Sequence, residues 1–295
     1  MNILILGNGF IGYNLAIGLQ ESEYNLAVVD KRKTENQPFK LYRRNLKYDY
    51  DDIFEQQKPD VVFYLIDESA LSRTDNTINY FMNLEVINFL KFLQIAVKFN
   101  VKKVIILSSF DLTHENCATC NATHKYKLQT LQPQFINQFI LELYMHYFKD
   151  TYKMNFVSLR TSNVYGYREQ DTWSNNIIHT LLSNKRTTLN VNPSSYINLI
   201  YIGDVISALI YSLREDVTGI YNIIHNYVQY SILAETINKI SPAKIIFDAT
   251  QPIIPKKHFS ILNSLDNWKP IVSLETGITV TKQNFRSQHG HSSNK

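Results

Sequence analysis

The first residues of the chain combine an apolar strand with closely spaced glycines. Residues 2–12 read Asn-Ile-Leu-Ile-Leu-Gly-Asn-Gly-Phe-Ile-Gly and hold three of the nine glycines in the sequence. In this spacing the first glycine permits a tight turn, the second lets a pyrophosphate approach the backbone, and the third lets the next helix pack against the strand. The N–H groups at the start of that helix attract phosphate. We therefore predict a dinucleotide site formed by Gly7, Gly9, Phe10, Ile11 and Gly12.

A second apolar strand ends in a carboxylate. Asp30 follows the glycine loop at about the 20-residue spacing expected of an acid that binds the adenosine ribose. Such a carboxylate accepts hydrogen bonds from the ribose hydroxyls and repels a 2′-phosphate, which favours NAD. The basic residues Lys31, Arg32 and Lys33 follow at once, and their pairing with a 2′-phosphate keeps NADP as the alternative.

Strand and helix patterns alternate along the chain. This alternation predicts an α/β fold with a Rossmann-type, doubly wound parallel sheet and a smaller C-terminal α/β substrate lobe. We expect the NAD(P)-binding lobe at 1–165, the substrate lobe mainly at 166–285 and a disordered tail at 286–295. Strands near 198–202 and 219–224 are expected to return to the main sheet. The predicted helices lie near 50–57, 76–99, 135–152, 173–184 and 204–214.

Composition excludes several classes of protein. The 295 residues are 44% hydrophobic and 19% charged, with a net charge of +4 and acids and bases interspersed, as in ordinary globular proteins. The basic runs are too short to indicate nucleic-acid binding. No apolar run reaches the roughly 18 residues needed for a membrane span. The chain starts in a core strand rather than in a signal segment, so we expect a cytoplasmic protein.

Short motifs over about residues 2–285 resemble one protein family. They are Gly7-x-Gly9-Phe-Ile-Gly12, Pro59-Asp-Val-Val-Phe-Tyr-Leu65, Asn83, Leu107-Ser-Ser109, Arg160-Thr-Ser-Asn-Val-Tyr-Gly166, Tyr201-Ile-Gly-Asp-Val205, Tyr221-Asn-Ile223 and Trp268-Lys-Pro270 with Leu274-x-x-Gly277. In order and spacing the chain resembles the extended short-chain dehydrogenases/reductases of the NAD-dependent sugar-nucleotide epimerase/dehydratase family.

The resemblance implies several functional residues and partners. It implies that Leu65 and Asn83 contact the dinucleotide, and that the C-terminal lobe closes over a nucleotide sugar. It also implies that Asn163 contacts this sugar, although Asn163 is equally well interpreted as a turn residue at the end of a strand. A homodimer formed through a four-helix bundle of the long helices near 76–99 and 135–152 is a further implication.

The catalytic pair of that family is missing. The family uses a Tyr followed four residues later by a Lys on one helix face, where the ammonium lowers the phenol pKa so that the phenolate can accept a proton. Alignment on Glu142 and Arg160 places Gln134 and Gln138 at these positions. None of the nineteen tyrosines is followed by Lys at the fourth position. Glutamine does not titrate near neutral pH, so Gln134 cannot act as a general base.

Two further departures concern the binding clefts. Where the family has small residues after the fourth strand, this chain has Ile66-Asp67-Glu68, which adds bulk and negative charge. Where the family often has an Arg-Asp pair that binds the nucleotide diphosphate, this chain has Ile197-Asn198. Isoleucine cannot replace the phosphate-binding fork of an arginine.

A polar loop carries the only two cysteines, Cys117 and Cys120, with His114 and His124 on either side. Thiolates and imidazoles at this spacing fit a tetrahedral zinc site. A dithiol switch is the second interpretation. A surface loop with incidental thiols is the third, because one Cys-x-x-Cys usually needs a second pair of ligands.

Two functions from different classes remain open. The first is a catalytically degenerate NAD(P)-binding protein, an accessory or regulatory partner in glycan or nucleotide-sugar metabolism. The second is an active NAD-dependent nucleotide-sugar epimerase, dehydratase or reductase with substitute groups, in which Tyr126 supplies a phenol and Ser109 polarises the substrate oxygen. A redox sensor built on Cys117 and Cys120 is a third hypothesis.

Overall fold

The computed structural model describes residues 1–31, 38–44, 51–66, 85–109, 133–167, 173–183, 186–256 and 264–289. The strands in these ranges are β1 (Asn2–Leu6), β2 (Asn25–Asp30), β3 (Leu41–Arg43), β4 (Val61–Tyr64), β5 (Lys103–Ser109), β6 (Asn155–Thr161), β7 (Asn163–Tyr165), β8 (Arg186–Leu189), β9 (Tyr196–Tyr201), β10 (Gly219–Ile223), β11 (Asn226–Gln229) and β12 (Lys244–Phe247). The helices are α1 (Phe10–Leu19), α2 (Asp51–Gln57), α3 (Ile87–Lys98), α4 (Pro133–Tyr152), α5 (Trp173–Ser183), α6 (Ile202–Tyr211), α7 (Tyr230–Ile240) and α8 (Leu274–His289).

The main sheet has seven parallel strands in the order β10-β6-β5-β4-β1-β2-β3. The strand order reverses between β1 and β4, which is where a doubly wound sheet opens a crevice for a ligand. Both faces of the sheet are covered by apolar clusters, one including α3 and α4 and the other α1 and α6. This burial explains the continuous apolar runs of the central strands. The predicted doubly wound α/β fold is confirmed.

A smaller sheet joins β11, β9 and β7, and a third apolar cluster lies between it and α5, α7 and α8. The prediction that the strand near 198–202 returns to the main sheet is wrong, because β9 pairs with β7 and β11 instead. Of the two strands, β10 alone joins the main sheet, beside β6. β9 buries apolar side chains on both faces, because Ile197 and Leu199 pack in the cluster of the smaller sheet and Ile200 packs in the α1/α6 cluster.

Two segments differ from the sequence expectation. β3 lies in a segment for which the sequence predicts no helix or strand, and its three residues pair with β2. The last helix, α8, extends to His289, past the expected end of the substrate lobe at 285. The remaining tail lies outside the described residues. The boundary between the lobes at 165/166 stays a prediction.

A buried lysine connects the main sheet to the end of α6. Lys103, at the start of β5, donates hydrogen bonds from Nζ to the backbone carbonyls of Ser212, Arg214 and Val217. Carbonyls at the C-terminus of a helix lack intrahelical donors, and a cation there is favourable. Burial lowers the pKa of the Lys103 ammonium.

Candidate functional site

The glycine loop has a geometry that only glycine permits. Gly7 has φ of +107°, and a Cβ at this position would lie 2.6 Å from the carbonyl oxygen of Leu65. A Cβ on Gly12 would lie 1.9 Å from the carbonyl oxygen of Gly7. Backbone therefore occupies the space of both side chains, and the loop is a cradle formed by main chain. Such a cradle fits a pyrophosphate.

Helix α1 begins directly at this loop. The first intrahelical hydrogen bond runs from the N–H of Tyr13 to the carbonyl of Gly9 at 2.9 Å. The N–H groups of Phe10, Ile11 and Gly12 come before it and belong to the first helical turn, where donors have no intrahelical acceptor. The predicted pyrophosphate contacts thus lie together on one helix N-terminus.

Asp30 is attached to the same loop. Its carboxylate accepts a hydrogen bond from the backbone N–H of Asn8 at 2.6 Å, and the residue is 4% exposed. This bond holds the acid at the carboxyl end of β2, next to the loop. The structure thus brings together Asp30, the glycine loop and Leu65, three parts of the predicted dinucleotide site that are distant in sequence.

The carboxyl ends of β5 and β6 supply polar groups at the same edge of the sheet. Ser109, the predicted substrate-polarising residue, is the last residue of β5 and is half-buried. The neighbouring Ser108 is buried, and its hydroxyl has no hydrogen-bond partner among the described residues. From the sequence, Ser108 is the alternative to Ser109 for the hydroxyl that polarises the substrate oxygen, and the face of the strand on which each lies depends on the pairing of β5 with β6.

A buried ion pair positions α4 on the sheet. The Arg160 guanidinium on β6 donates from Nε to Glu142 Oε1 at 3.0 Å and from Nη2 to Oε2 at 2.6 Å. The hydroxyl of Ser158 donates to Oε1 at 2.9 Å. The Arg160 and Glu142 side chains are 1% and 2% exposed. Such a bidentate, hydrogen-bonded pair adds geometric specificity and favours this register of helix on strand.

This register places the two glutamines at the functional edge of the sheet. Because α4 connects the parallel strands β5 and β6, it runs antiparallel to them, and residues before Glu142 lie toward their carboxyl ends. Gln138 is one turn earlier, and its buried Oε1 has no hydrogen-bond partner in the described ranges. Gln134 lies a further turn toward the start of α4, and its side chain is outside the described part of the structure.

An apolar side chain, that of Ile197, occupies the position at which the phosphate-binding arginine is expected. Ile197 is 4% exposed and belongs to the apolar cluster of the smaller lobe. Asn198 is also buried, and its carbonyl accepts a hydrogen bond from Nδ2 of Asn163 at 3.1 Å. Asn163 therefore links the start of β7 to β9. Its predicted contact with a sugar stays a prediction.

Two tyrosines at this cluster, the buried Tyr165 and the half-buried Tyr201, are unsuited to replace a missing base. Burial raises the pKa of the Tyr165 phenol, with smaller contributions from Tyr201 and Asp204. Burial and the charge of Asp204 also raise the pKa of Tyr201. Both phenols stay protonated at neutral pH and cannot accept a proton from a substrate.

Several predicted residues lie outside the described ranges: Asn83, Tyr126, Cys117, Cys120, His114, His124, Asp67 and Glu68. The zinc, dithiol and incidental interpretations of the cysteine loop stay open. Within the residues that are described, no group of three or more His, Cys, Asp or Glu side chains is arranged to hold a metal ion. In the same ranges, no helix has both the length and the apolar character to cross a membrane.

Comparison with known families agrees with this geometry. The model of the NAD dependent epimerase/dehydratase family matches residues 3–223, about three quarters of the chain. The chain belongs to this family. The match confirms the resemblance inferred from the motifs, and NAD is the cofactor of the family.

Individual relatives of this family member are distant. The dTDP-D-glucose 4,6-dehydratase of Dictyostelium discoideum is 25% identical over 252 residues, which cover 75% of this chain and 57% of the dehydratase. The chain thus spans little more than half the length of that relative.

Solved structures share the fold of this family member. The UDP-glucose 4-epimerase of Thermotoga maritima with UDP-glucose has a TM-score of 0.82 at 24% identity, covering 98% of this chain and 100% of the epimerase. The UDP-N-acetylglucosamine 4-epimerase of Methanobrevibacter ruminantium with UDP-N-acetylmuramic acid has a TM-score of 0.83 at 21% identity, covering 97% and 98%. At these identities the similarity establishes the fold alone.

Proposed function

We propose that this member of the epimerase/dehydratase family binds NAD but lacks conventional acid–base catalysis, and acts as an accessory or regulatory protein in nucleotide-sugar or glycan metabolism. The observation that carries the proposal is the pair of glutamines on α4, in a helix register that the buried Glu142–Arg160 ion pair holds in place. Neither amide can supply or accept a proton near neutral pH.

Cofactor binding is supported by the cradle of Gly7 and Gly12 and by the position of Asp30. The N–H groups of the first turn of α1 would hold the pyrophosphate, and Asp30 would accept hydrogen bonds from the adenosine ribose. When bound, NAD supplies a nicotinamide that can accept a hydride. The crystal structure of a UDP-glucose 4-epimerase from Thermus thermophilus, a complex with NAD, has a TM-score of 0.77 to this chain at 20% identity.

Turnover requires a proton transfer that this chain does not support in the usual way. A positioned acid–base group contributes on the order of 10²–10⁴-fold in rate, and its loss at Gln134 and Gln138 removes that factor. Ser109 at the end of β5 can donate a hydrogen bond to a substrate oxygen, but an aliphatic hydroxyl is a weak base near neutral pH. The chain thus has the groups needed to bind NAD but lacks the usual groups for turnover of a substrate.

The nucleotide-sugar assignment is inferred from the family and its relatives, several of which were solved with UDP sugars. Burial of Ile197 argues for weakened binding of a diphosphate, because no guanidinium projects from this position. We expect nucleotide sugars to bind more weakly here than they would with an arginine at 197.

A homodimer is the partner that the surface of α3 and α4 supports. Leu143 and Tyr147 lie one turn apart on α4 and form an apolar stripe that faces outward, since they are 52% and 55% exposed. Ile87 on the adjacent α3 is exposed as well. A core-facing stripe would bury these side chains. Packing of two copies through these helices would form a four-helix bundle. Light scattering should detect a dimer that the Leu143→Glu variant weakens, with the exposed polar Asp150→Asn variant as the control.

The second candidate is an active enzyme with substitute groups. It is favoured by the position of Ser109 at the carboxyl edge of the sheet, the same edge at which the glycine loop follows β1. In this function Tyr126 provides the phenol. The Tyr126→Phe variant then abolishes turnover.

The decisive experiment is a calorimetric titration of nucleotide-stripped protein with NAD, followed by assays with UDP-glucose. We expect NAD to bind in the wild type and not in Gly12→Ala, and we expect no turnover of UDP-glucose. Absence of NAD binding to the folded wild type contradicts the proposal. So does turnover that requires bound NAD and is lost in Tyr126→Phe, since this result establishes the second candidate.

A further inference from the structure

The end of β3 places an arginine beside Asp30. The parallel register pairs Val28 with Leu41, Val29 with Tyr42 and Asp30 with Arg43. Register partners on adjacent strands point to the same face of a sheet, and successive residues alternate between faces. Leu41 accordingly packs in the α1/α6 cluster with Val28, and Tyr42 packs in the α3/α4 cluster with Val29. Arg43 therefore lies on the same face as Asp30.

The Arg43 side chain turns toward the end of β2. Its Nε donates a hydrogen bond to the carbonyl of Lys31 at 3.4 Å, and the residue is exposed. No carboxylate among the described residues lies within ion-pair distance of Arg43. The next residue differs in this respect, because Arg44 donates to Asp52 Oδ2 from Nε at 3.1 Å and from Nη2 at 2.7 Å. Of the two adjacent arginines, Arg43 is directed toward the carboxyl edge of the sheet.

This edge is where the adenosine ribose of a bound dinucleotide must lie. Asp30 is held by the Asn8 amide at the glycine loop, so a ribose in contact with Asp30 has its 2′-oxygen next to the ends of β2 and β3. A phosphate on that oxygen would be repelled by the Asp30 carboxylate. It would also meet the Arg43 guanidinium and the exposed Lys31 ammonium at the same strand ends, and these charges offset the repulsion.

We propose that the adenosine end of this site binds the 2′-phosphate of NADP as well as the free hydroxyl of NAD, with Arg43 as the residue that decides the affinity for the phosphate. The proposal rests on the dinucleotide binding proposed above. Asp30 alone would make the site selective for NAD, and the β2–β3 register that places Arg43 next to Asp30 makes the site accept both dinucleotides.

The test compares NAD and NADP by calorimetry in the wild type, Arg43→Gln and the matched control Arg44→Gln. We expect the dissociation constant for NADP in the wild type to lie within about tenfold of that for NAD. Loss of a charge-assisted hydrogen bond in Arg43→Gln should weaken NADP by about 10- to 100-fold. NAD binding should change by less than about twofold in Arg43→Gln, and Arg44→Gln should leave the ratio of the two constants unchanged. Adenosine 2′,5′-bisphosphate and 5′-AMP should give the same ratios, because the contact is confined to the adenosine end.

Three outcomes contradict the proposal in distinguishable ways. NAD binding with NADP at least a hundredfold weaker overturns dual recognition and leaves the proposed function intact. Equal weakening of both dinucleotides by Arg43→Gln shows that Arg43 does not contact the 2′-phosphate. Binding of neither dinucleotide to the folded wild type overturns this proposal together with the proposed function. Circular dichroism of each variant separates lost contacts from lost folding.

Discussion

The Glu142→Ala substitution should destabilise the protein severely. It removes both carboxylate oxygens that receive hydrogen bonds from Arg160 and Ser158, inside a region from which water is excluded. The Arg160 guanidinium, which is 1% exposed, would then be a buried charge without its counter-ion. The structure of the α4–β6 contact depends on this pair, so its loss also affects the position of Gln138 at the functional edge.

The size of the effect follows from burial. Removing one partner of a buried ion pair costs about 3–5 kcal/mol, because the remaining charge is desolvated without compensation. Proteins of this kind are stabilised by only about 5–15 kcal/mol, so the loss is a large fraction of the total. At roughly 2–4 °C per kcal/mol, the midpoint of thermal unfolding should fall by about 6–20 °C.

Urea unfolding measures this loss directly. Tryptophan fluorescence and far-ultraviolet circular dichroism should report a lower midpoint for Glu142→Ala with an unchanged m-value. The control is Lys98→Ala, which breaks the exposed 3.1 Å ion pair with Asp51 and should cost no more than about 1 kcal/mol. The double variant Glu142→Leu/Arg160→Met removes both charges and should recover most of the loss.

Two results would refute this reasoning. A cost below about 1 kcal/mol for Glu142→Ala would mean that the Arg160 guanidinium reaches solvent or another acceptor. A double variant as unstable as the single variant would mean that hydrogen bonding, rather than the unpaired charge, dominates.

Three further predictions concern other parts of the structure. Gly12→Ala should abolish NAD binding in a calorimetric titration, because its Cβ would overlap backbone at 1.9 Å; retained binding would contradict the cradle. The hydrogen bonds from Lys102 and from a backbone N–H lower the pKa of Asp60, so its stabilisation exists above the unfolded-state pKa and disappears as the pH falls through the folded-state pKa. The difference in urea midpoint between the wild type and Asp60→Asn should therefore shrink from pH 7 to pH 2, and a constant difference would argue against an ionic origin. Lys103→Met should cost about 1–3 kcal/mol in the free energy of unfolding, because buried carbonyls after α6 lose their donor; no loss would show that water replaces it.

The amino-acid sequence by itself determined the local features of this protein. These features are the glycine loop, the acid at the end of β2 and the long helix α4. They depend on backbone freedom and on periodicities of two or 3.6 residues, which can be recognised in a short stretch of sequence. The absence of a Tyr-x-x-x-Lys pair is likewise a property of the sequence, since no pairing of distant segments can create it. The homodimer and the roles of Tyr126 and the cysteine loop stay predictions.

Only the tertiary structure decided which distant residues meet. The apolar runs of β9 and β10 look alike in sequence, yet β9 forms the smaller sheet and β10 joins the main one, because strand pairing depends on the edge that is free in the folded chain. The three residues of β3 carry too little pattern to predict a strand, and their register with β2 places Arg43 beside Asp30. The burial of the Arg160–Glu142 ion pair likewise depends on the packing of α4 against the main sheet. Each of these contacts is a long-range pairing, and its free energy is set by burial and hydrogen bonding that no local segment contains.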